Sequence, residues 1–317
     1  MAIFSVQARP TDATSWVELA RTVEAAGFDA LLAADHPGFG PAPFVALAAA
    51  AAVTGTLGLG SYVSNAGVRE PMLLAADVAT LDVVSGGRAR LGLGAGHTPG
   101  EWRAVGRERP DVAGRVRRCL AVAGAVRALL AGEEVTVDTP ELAAHAARLD
   151  DPRPVQDRIP LTLGTANSTL LRWAGAHADV VGLTGFGRTL ADGHAHEVRW
   201  RADQLEAQLA HVAAGAAGRH TPPALEALVQ HVAITDDAEA VAAETAAETG
   251  LTPAEVLATP FVLIGTADEV VAAVAGHRRR WGVTRFVVRA GAVDALAPLL
   301  PRLAENGSTS SALETGH

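Results

Sequence analysis

The stretch ARLGLGAGHTPGEW, residues 89–102, decides the fold. A short apolar run carries glycines at 92, 94 and 96, and then come a histidine, a loop and a glutamate. A dinucleotide-binding turn needs G-x-G-x-x-G opening into a helix, because the pyrophosphate rests on the helix N-terminus. Here His97 stands where the third glycine belongs, and Thr98, Pro99 and Gly100 are loop formers. The spacing argues against a Rossmann unit and leaves the question whether this is the end of a barrel strand built to let a flat ligand approach the backbone.

Working outward, strand and helix signals alternate. IFSVQA (3–8) reads as a buried strand, and Asp12 caps a helix with Trp16, Leu19 and Val23 on one face before Gly27 stops it. Further apolar runs fall at 28–34, 57–63, 89–93, 160–164, 179–183, 228–234 and 284–289. A helix over 71–84 keeps Leu74, Val78 and Leu81 in register, with Gly86 and Gly87 as its stop. Eight βα units with right-handed crossovers either close or form an open doubly wound sheet, and in 317 residues the expectation is a closed (β/α)8 TIM barrel. Its two long connections, 94–159 after strand 4 and 184–227 after strand 6, read as insertions on the face that carries chemistry. The first holds a helix over 114–131 and the second a helix near 191–214. One domain over 1–303 is expected, with a polar tail, 304–317, that is mobile.

Composition narrows the function. A net charge of −9 and a pI near 5.6 argue against nucleic acid or an anionic membrane as partner. The single cysteine, Cys119, cannot form an internal disulfide, and neither a leader pattern nor a bilayer-length apolar run is present. A cytoplasmic enzyme acting on a small molecule is the expectation. Every basic side chain is arginine, so Schiff-base chemistry, a lysine base and a P-loop lysine are excluded.

In a barrel, chemistry gathers where the strands end. Those positions supply Gln7, Asp35 with His36, Asn65, His97 with Glu101, Thr165 with Asn167, and Thr184. His36 suits general acid–base work, or it merely packs while Asp35 caps the following turn. Glu101 orients a substrate or moves a proton, or caps the helix beginning at Trp102. A divalent metal on Asp35, His36, His97 and Glu101 is a weaker alternative, because no pair has a recognised ligand spacing. His194 and His196, two apart on a helix, read as solvated surface. Gly164, Thr165, Ala166, Asn167 and Ser168 join a strand to a helix, which offers free backbone N–H groups to an anion without lysine; ordinary capping uses the same residues. Phe39, Phe44, Trp102 and Phe186 are candidate pocket walls or core.

Four segments together resemble the luciferase-like monooxygenase superfamily, in the branch that uses the deazaflavin coenzyme F420. They are VELARTVEAAGFDALLAADH, the run PFVALAAAAAVTGTLGLGSYVSNAGVREPMLLAADVATLDVVSGGRARLGLGAGHTPGEWRAVG, PRPVQDRIPLTLGTANSTLLRWAGAHADVVGL and TPFVLIGTADEVVAAVAGHRRRWGVTRFVVR. The resemblance implies a TIM barrel holding F420, or FMN as the alternative, flat across the strand ends. It implies a non-proline cis bond within Ser61-Tyr62-Val63 as a backstop for the ring. It places Asp35, Asn65, Gly96 and His97 at the cofactor, Gly164, Thr165, Ala166 and Asn167 at its phosphate, and His36 and Glu101 at the substrate proton. It further implies a homodimer through the alanine-rich helix at 43–53. On this reading glycines 92–96 make room for the ring, and Arg69, Arg103, Arg107 and Arg109 are candidates for an acidic tail. The chain departs from the family in having Gly-Thr-Ala-Asn at the phosphate turn, which asks Asn167 to do what glycine does easily, and in placing His97 where an aromatic is common. Hydride transfer by a deazaflavin, oxygen activation by reduced FMN, and a flavin-binding relative without catalysis all remain open.

Overall fold

The structure is a computed structural model that describes residues 1–190 and 196–305. Its centre is a closed barrel of parallel strands: β1 (Ile3–Ala8), β2 (Ala30–Ala33), β3 (Gly58–Ser61, resumed at Ser64–Asn65), β4 (Ala89–Gly94), β5 (Leu161–Gly164), β6 (Val180–Leu183), β7 (Ala224–Leu228) and β8 (Val283–Arg289). Each pairs with its neighbour in sequence, β8 pairs with β1, and β3 meets β4 through Leu59↔Ala89 and Asn65↔Gly94. The (β/α)8 expectation therefore holds.

The helices form where their caps and apolar stripes allow. Asp12 Oδ1 accepts from Ser15 N at 2.9 Å to open α1 (Ala13–Ala25), which buries Trp16, Ala20 and Val23. Pro43 opens α2 (Pro43–Ala51) and Pro71 opens α3 (Pro71–Ser85), which ends on Gly86 at φ +70°, a left-handed cap natural to glycine. The core is the shell between barrel and helices, with Leu31, Leu47, Leu59, Leu74, Leu91 and Phe286 fully buried.

The insertion after β4 carries a short helix, α4 (Pro99–Ala104), then α5 (Val112–Leu130) and an antiparallel hairpin, Val135–Thr139 with Leu142–Ala147. Between β5 and β6 lies α6 (Ser168–His177). The insertion after β6 differs from expectation. A hairpin of Phe186–Thr189 with His196–Val198 comes first, and the helix, α7 (Ala202–Ala216), begins only at residue 202. Residues 191–195, including His194, lie outside the described residues.

The seventh strand is also displaced. The barrel uses Ala224–Leu228, whereas His231–Ile234, read as part of that strand, peels away and pairs in parallel with Val262–Gly265. This makes 229–282 a third long connection. At the C-terminus a helix runs Leu300–Glu305, so residues 304 and 305 continue it; the rest of the expected tail lies outside the described residues. No helix among the described residues is long and apolar enough to cross a membrane.

Candidate active site

At the carboxyl rim of the barrel a cavity of about 1270 Å³ is walled by strand ends and by the β4 and β6 insertions. Its floor is the interruption in β3. The Tyr62–Val63 peptide bond is cis, as the resemblance implied. Tyr62 N donates to Ala33 O at 2.8 Å, and Gln7 Nε2 donates to the Tyr62 carbonyl. The Tyr62 ring turns down into the barrel beside Glu226, where burial holds its phenol well above its usual 10.

The glycines serve this floor. A Cβ on Gly94 would lie 2.7 Å from Val63 Cγ2, one on Gly164 3.0 Å from Val63 Cγ1, and one on Gly92 2.3 Å from Ser61 O. The room at 92–94 is thus taken by the chain's own β3 turn and not left for a ring. Gly96, at φ +74°, lies against Asn65.

Asp35 is buried, and both its oxygens are engaged: Arg69 reaches them at 2.7 and 3.0 Å, and Asn65 N donates to Oδ2 at 3.0 Å. Asp35 therefore shapes the wall and does not cap the turn after β2. Next to it, His36 Nδ1 meets Glu101 Oε1 at 2.7 Å, across 65 residues of sequence. Glu101 is buried in the first turn of α4, and its other oxygen accepts from Asn65 Nδ2. Its side chain is committed to His36 and Asn65, which removes the capping alternative. The hydrogen bond to Glu101 raises the His36 imidazole above its ordinary 6.5, against burial, which lowers it.

His97 touches the edge of His36, with centroids 5.9 Å apart, and of His196, at 4.5 Å. Burial, helped by those two neighbours, pushes its imidazole down to about 4. His196 is a strand residue stacked on Phe186 at 5.1 Å and lining the cavity, not helix surface as the sequence suggested. Of the four aromatic wall candidates only Phe186 lines the cavity; Trp102 and Phe44 are core, and Phe39 is exposed. Among the described residues no group of three or more His, Cys, Asp or Glu is arranged to hold a metal ion.

Gly164 to Ser168 line the same cavity at the N-terminus of α6. Asn167 is the N-cap, its Oδ1 accepting from Thr169 N at 3.0 Å and Leu170 N at 3.1 Å. Its φ of −81° is ordinary extended backbone, so the departure from glycine costs nothing there. Arg109 and Arg115 face the same space, and neither has a carboxylate partner in salt-bridge contact among the described residues. The other tail candidates are engaged elsewhere or lie off the cavity: Arg69 pairs with Asp35, Arg107 with Glu70, and Arg103 is outside the lining. Sequence reasoning missed Arg289, which ends β8 and donates to Gln230 Oε1 at 3.0 Å; the strand-end rule applied to RFVVR would have found it. It also missed Arg115, whose place in a helix gave no signal.

The His36–Glu101 contact and the N-terminus of α6 thus meet one cavity at the barrel rim. The model of the luciferase-like monooxygenase family matches residues 3–285. The chain belongs to that family. It is 33% identical over 193 residues to an F420-dependent glucose-6-phosphate dehydrogenase of Beutenbergia cavernae, 58% of this chain and 56% of that protein. The chain spans about half the length of the curated relatives it matches at 30% identity or more. Among solved structures, the monooxygenase RslO1 of Streptomyces bottropensis superposes with a TM-score of 0.74 at 21% identity, covering 94% of this chain and 99% of that one. The coenzyme F420-dependent tetrahydromethanopterin reductase of Methanopyrus kandleri gives 0.74 at 19%, covering 95% and 99%. At these identities the likeness shows the fold.

Proposed function

We propose that the protein is an F420-dependent oxidoreductase that exchanges a hydride and a proton with a small organic substrate. The observation that carries this reading is the His36–Glu101 pair at the rim of the cavity, above the Tyr62–Val63 floor. The residues present fit such a cofactor. The α6 N-terminus with Thr165, Asn167 and Ser168, faced by Arg115 and by Arg109 with its buried, unpartnered Nε, suits a phosphate. Gly96 and His97 line the same cavity. When bound, the deazaflavin supplies a two-electron hydride carrier. The residues from Gly164 to Ser168 would hold it, the Phe186–His196 stack would line its cavity, and His36 would move a proton.

A second reading, an FMN-dependent monooxygenase, draws on the rings of Phe186, His97 and His196 in the cavity lining, since oxygen activation calls for a site poor in water. Titrating the purified protein with F420 and with reduced FMN, following visible spectra and binding heat, separates the two. Tighter F420 binding is expected, with His36→Asn leaving affinity unchanged and lowering kcat about 10²- to 10⁴-fold. Binding of neither cofactor would sink the proposal, and cofactor binding with turnover indifferent to His36 and Glu101 would mark a flavin-binding relative without catalysis.

The working form is a cytoplasmic homodimer. What supports the dimer is an apolar outer face on two adjoining helices: Val45 of α2 is 74% exposed, and Leu73, Val83 and Val84 of α3 are 64%, 43% and 54% exposed.

A further inference from the structure

We infer that Asn65 is a positioning residue and not a cofactor ligand: its side-chain amide fixes the Glu101 carboxylate as a pure acceptor, leaving His36 Nε2 to carry the proton. The inference rests on the proposed chemistry for its consequence, but its geometry stands without a cofactor.

Glu101 has two oxygens, and both are taken, Oε1 by His36 Nδ1 and Oε2 by Asn65 Nδ2. The orientation of the Asn65 amide is set independently. Its Oδ1 accepts from Gly67 N at 2.8 Å, so Nδ2 must be the atom that faces Glu101. The backbone of Asn65 is held too, since its N–H donates to Asp35 and Arg69 grips Asp35. The amide is also enclosed. Asn65 is 4% exposed, and Gly96 packs so closely that a Cβ there would lie 2.0 Å from Asn65 Oδ1. A ring above the cavity floor finds little of this side chain to contact.

An amide donor cannot take a proton from the group it donates to. Asn65 Nδ2 offers Oε2 only an N–H, and His36 Nδ1–H does the same at Oε1, so both contacts use the carboxylate as acceptor. Glu101 is thereby held in place as the acceptor of both neighbours. His36 keeps Nδ1–H on Glu101 and turns Nε2 to the cavity, with no hydrogen-bond partner for Nε2 among the described residues. The other charged or titratable groups around His36 are Asp35, already neutralised by Arg69, Arg289 from β8, and His97 from the β4 insertion.

The first readout uses cofactor-free protein, so it is separate from whether F420 or FMN binds. Histidine resonances followed by NMR across pH should show the Asn65 side-chain amide shifting with the His36 titration in the wild type. Asn65→Ala and Glu101→Gln should each lower the His36 pKa, with cofactor affinity held within about twofold in Asn65→Ala. In turnover, Asn65→Ala should lower kcat at unchanged KM and move the pH profile with the His36 shift. An Asn65→Ala protein that binds cofactor at least about tenfold more weakly while His36 titrates as in the wild type makes Asn65 a cofactor ligand and overturns the inference. If that variant does not fold, the wild-type amide decides: a resonance indifferent to the His36 titration overturns it as well.

Discussion

His97 and His277 are imidazoles that the fold keeps neutral. His97 sits among rings in the cavity, and His277 is buried on the helix Ala267–Trp281 with Nε2 unpartnered. Burial is the main cause for both, and each is pushed down to about 4 from 6.5. Because the folded values lie below the unfolded one, the unfolded chain binds protons first as pH falls, and stability is lost from about 6.5 downward. His36 acts oppositely: its raised value adds stability that is full below 6.5 and lost as pH climbs through the folded value. Denaturant unfolding at pH 7 and pH 5 should show a net loss on the order of 2 kcal/mol for each neutral imidazole, reduced by His36. His277→Leu should remove its own share without touching cofactor binding; an unchanged acid loss in that variant would assign the effect elsewhere. The place of His97 was legible as a strand-end residue. Its neutrality was not, because it comes mainly from burial in the folded cavity wall, helped by His196 and His36 converging from distant segments.

At the scale of elements, the errors in reading the sequence have one source. ALEAL at 224–228 carries a glutamate and two helix-forming leucines, so the apolar run VQHVAI beside it drew the strand assignment. In the barrel, Glu226 is tolerated because Arg285 of β8 reaches it at 3.3 Å and also pairs with Asp29, which binds Arg90 of β4. Such an interior ion network breaks the apolar pattern on which strand assignment depends. The glycines misled in a similar way: their spacing marked a close approach, but only coordinates show that Val63 and Tyr62 are what approach. Gly182 of β6 makes this testable, since a Cβ there would lie 2.7 Å from the Tyr62 hydroxyl and 3.4 Å from its Cζ. Gly182→Ala should destabilise by about 1–3 kcal/mol, an overpacking cost. Tyr62→Phe removes the clashing oxygen, so the double variant should regain most of that loss in denaturant unfolding. Strictly additive losses would mean that Gly182 is required for another reason.

For the whole molecule, alternation of strand and helix sufficed to expect closure, because right-handed crossovers leave few other arrangements for eight units. The assembly is a different matter, since a helix pattern does not say which covered face meets a second chain. On α2 the inward residues Phe44, Leu47, Ala50 and Ala51 are buried while Val45 and Ala49 face out, and on α3 Leu73, Thr80, Val83 and Val84 do the same beside Asp77. Asp77 is the sole charge among those outward positions, and Arg69 lies 3.8 Å from it. Two packed helices thus present a surface that leaves Val45, Leu73, Val83 and Val84 in water, and a two-fold contact of like faces would bury it twice over. Sedimentation velocity at micromolar concentration should report a dimer, and the double substitution Val45→Glu with Leu73→Glu should yield a monomer whose far-UV spectrum is unchanged. A wild-type protein that sediments as a monomer, or a dimer indifferent to both charges, places the interface elsewhere or removes it.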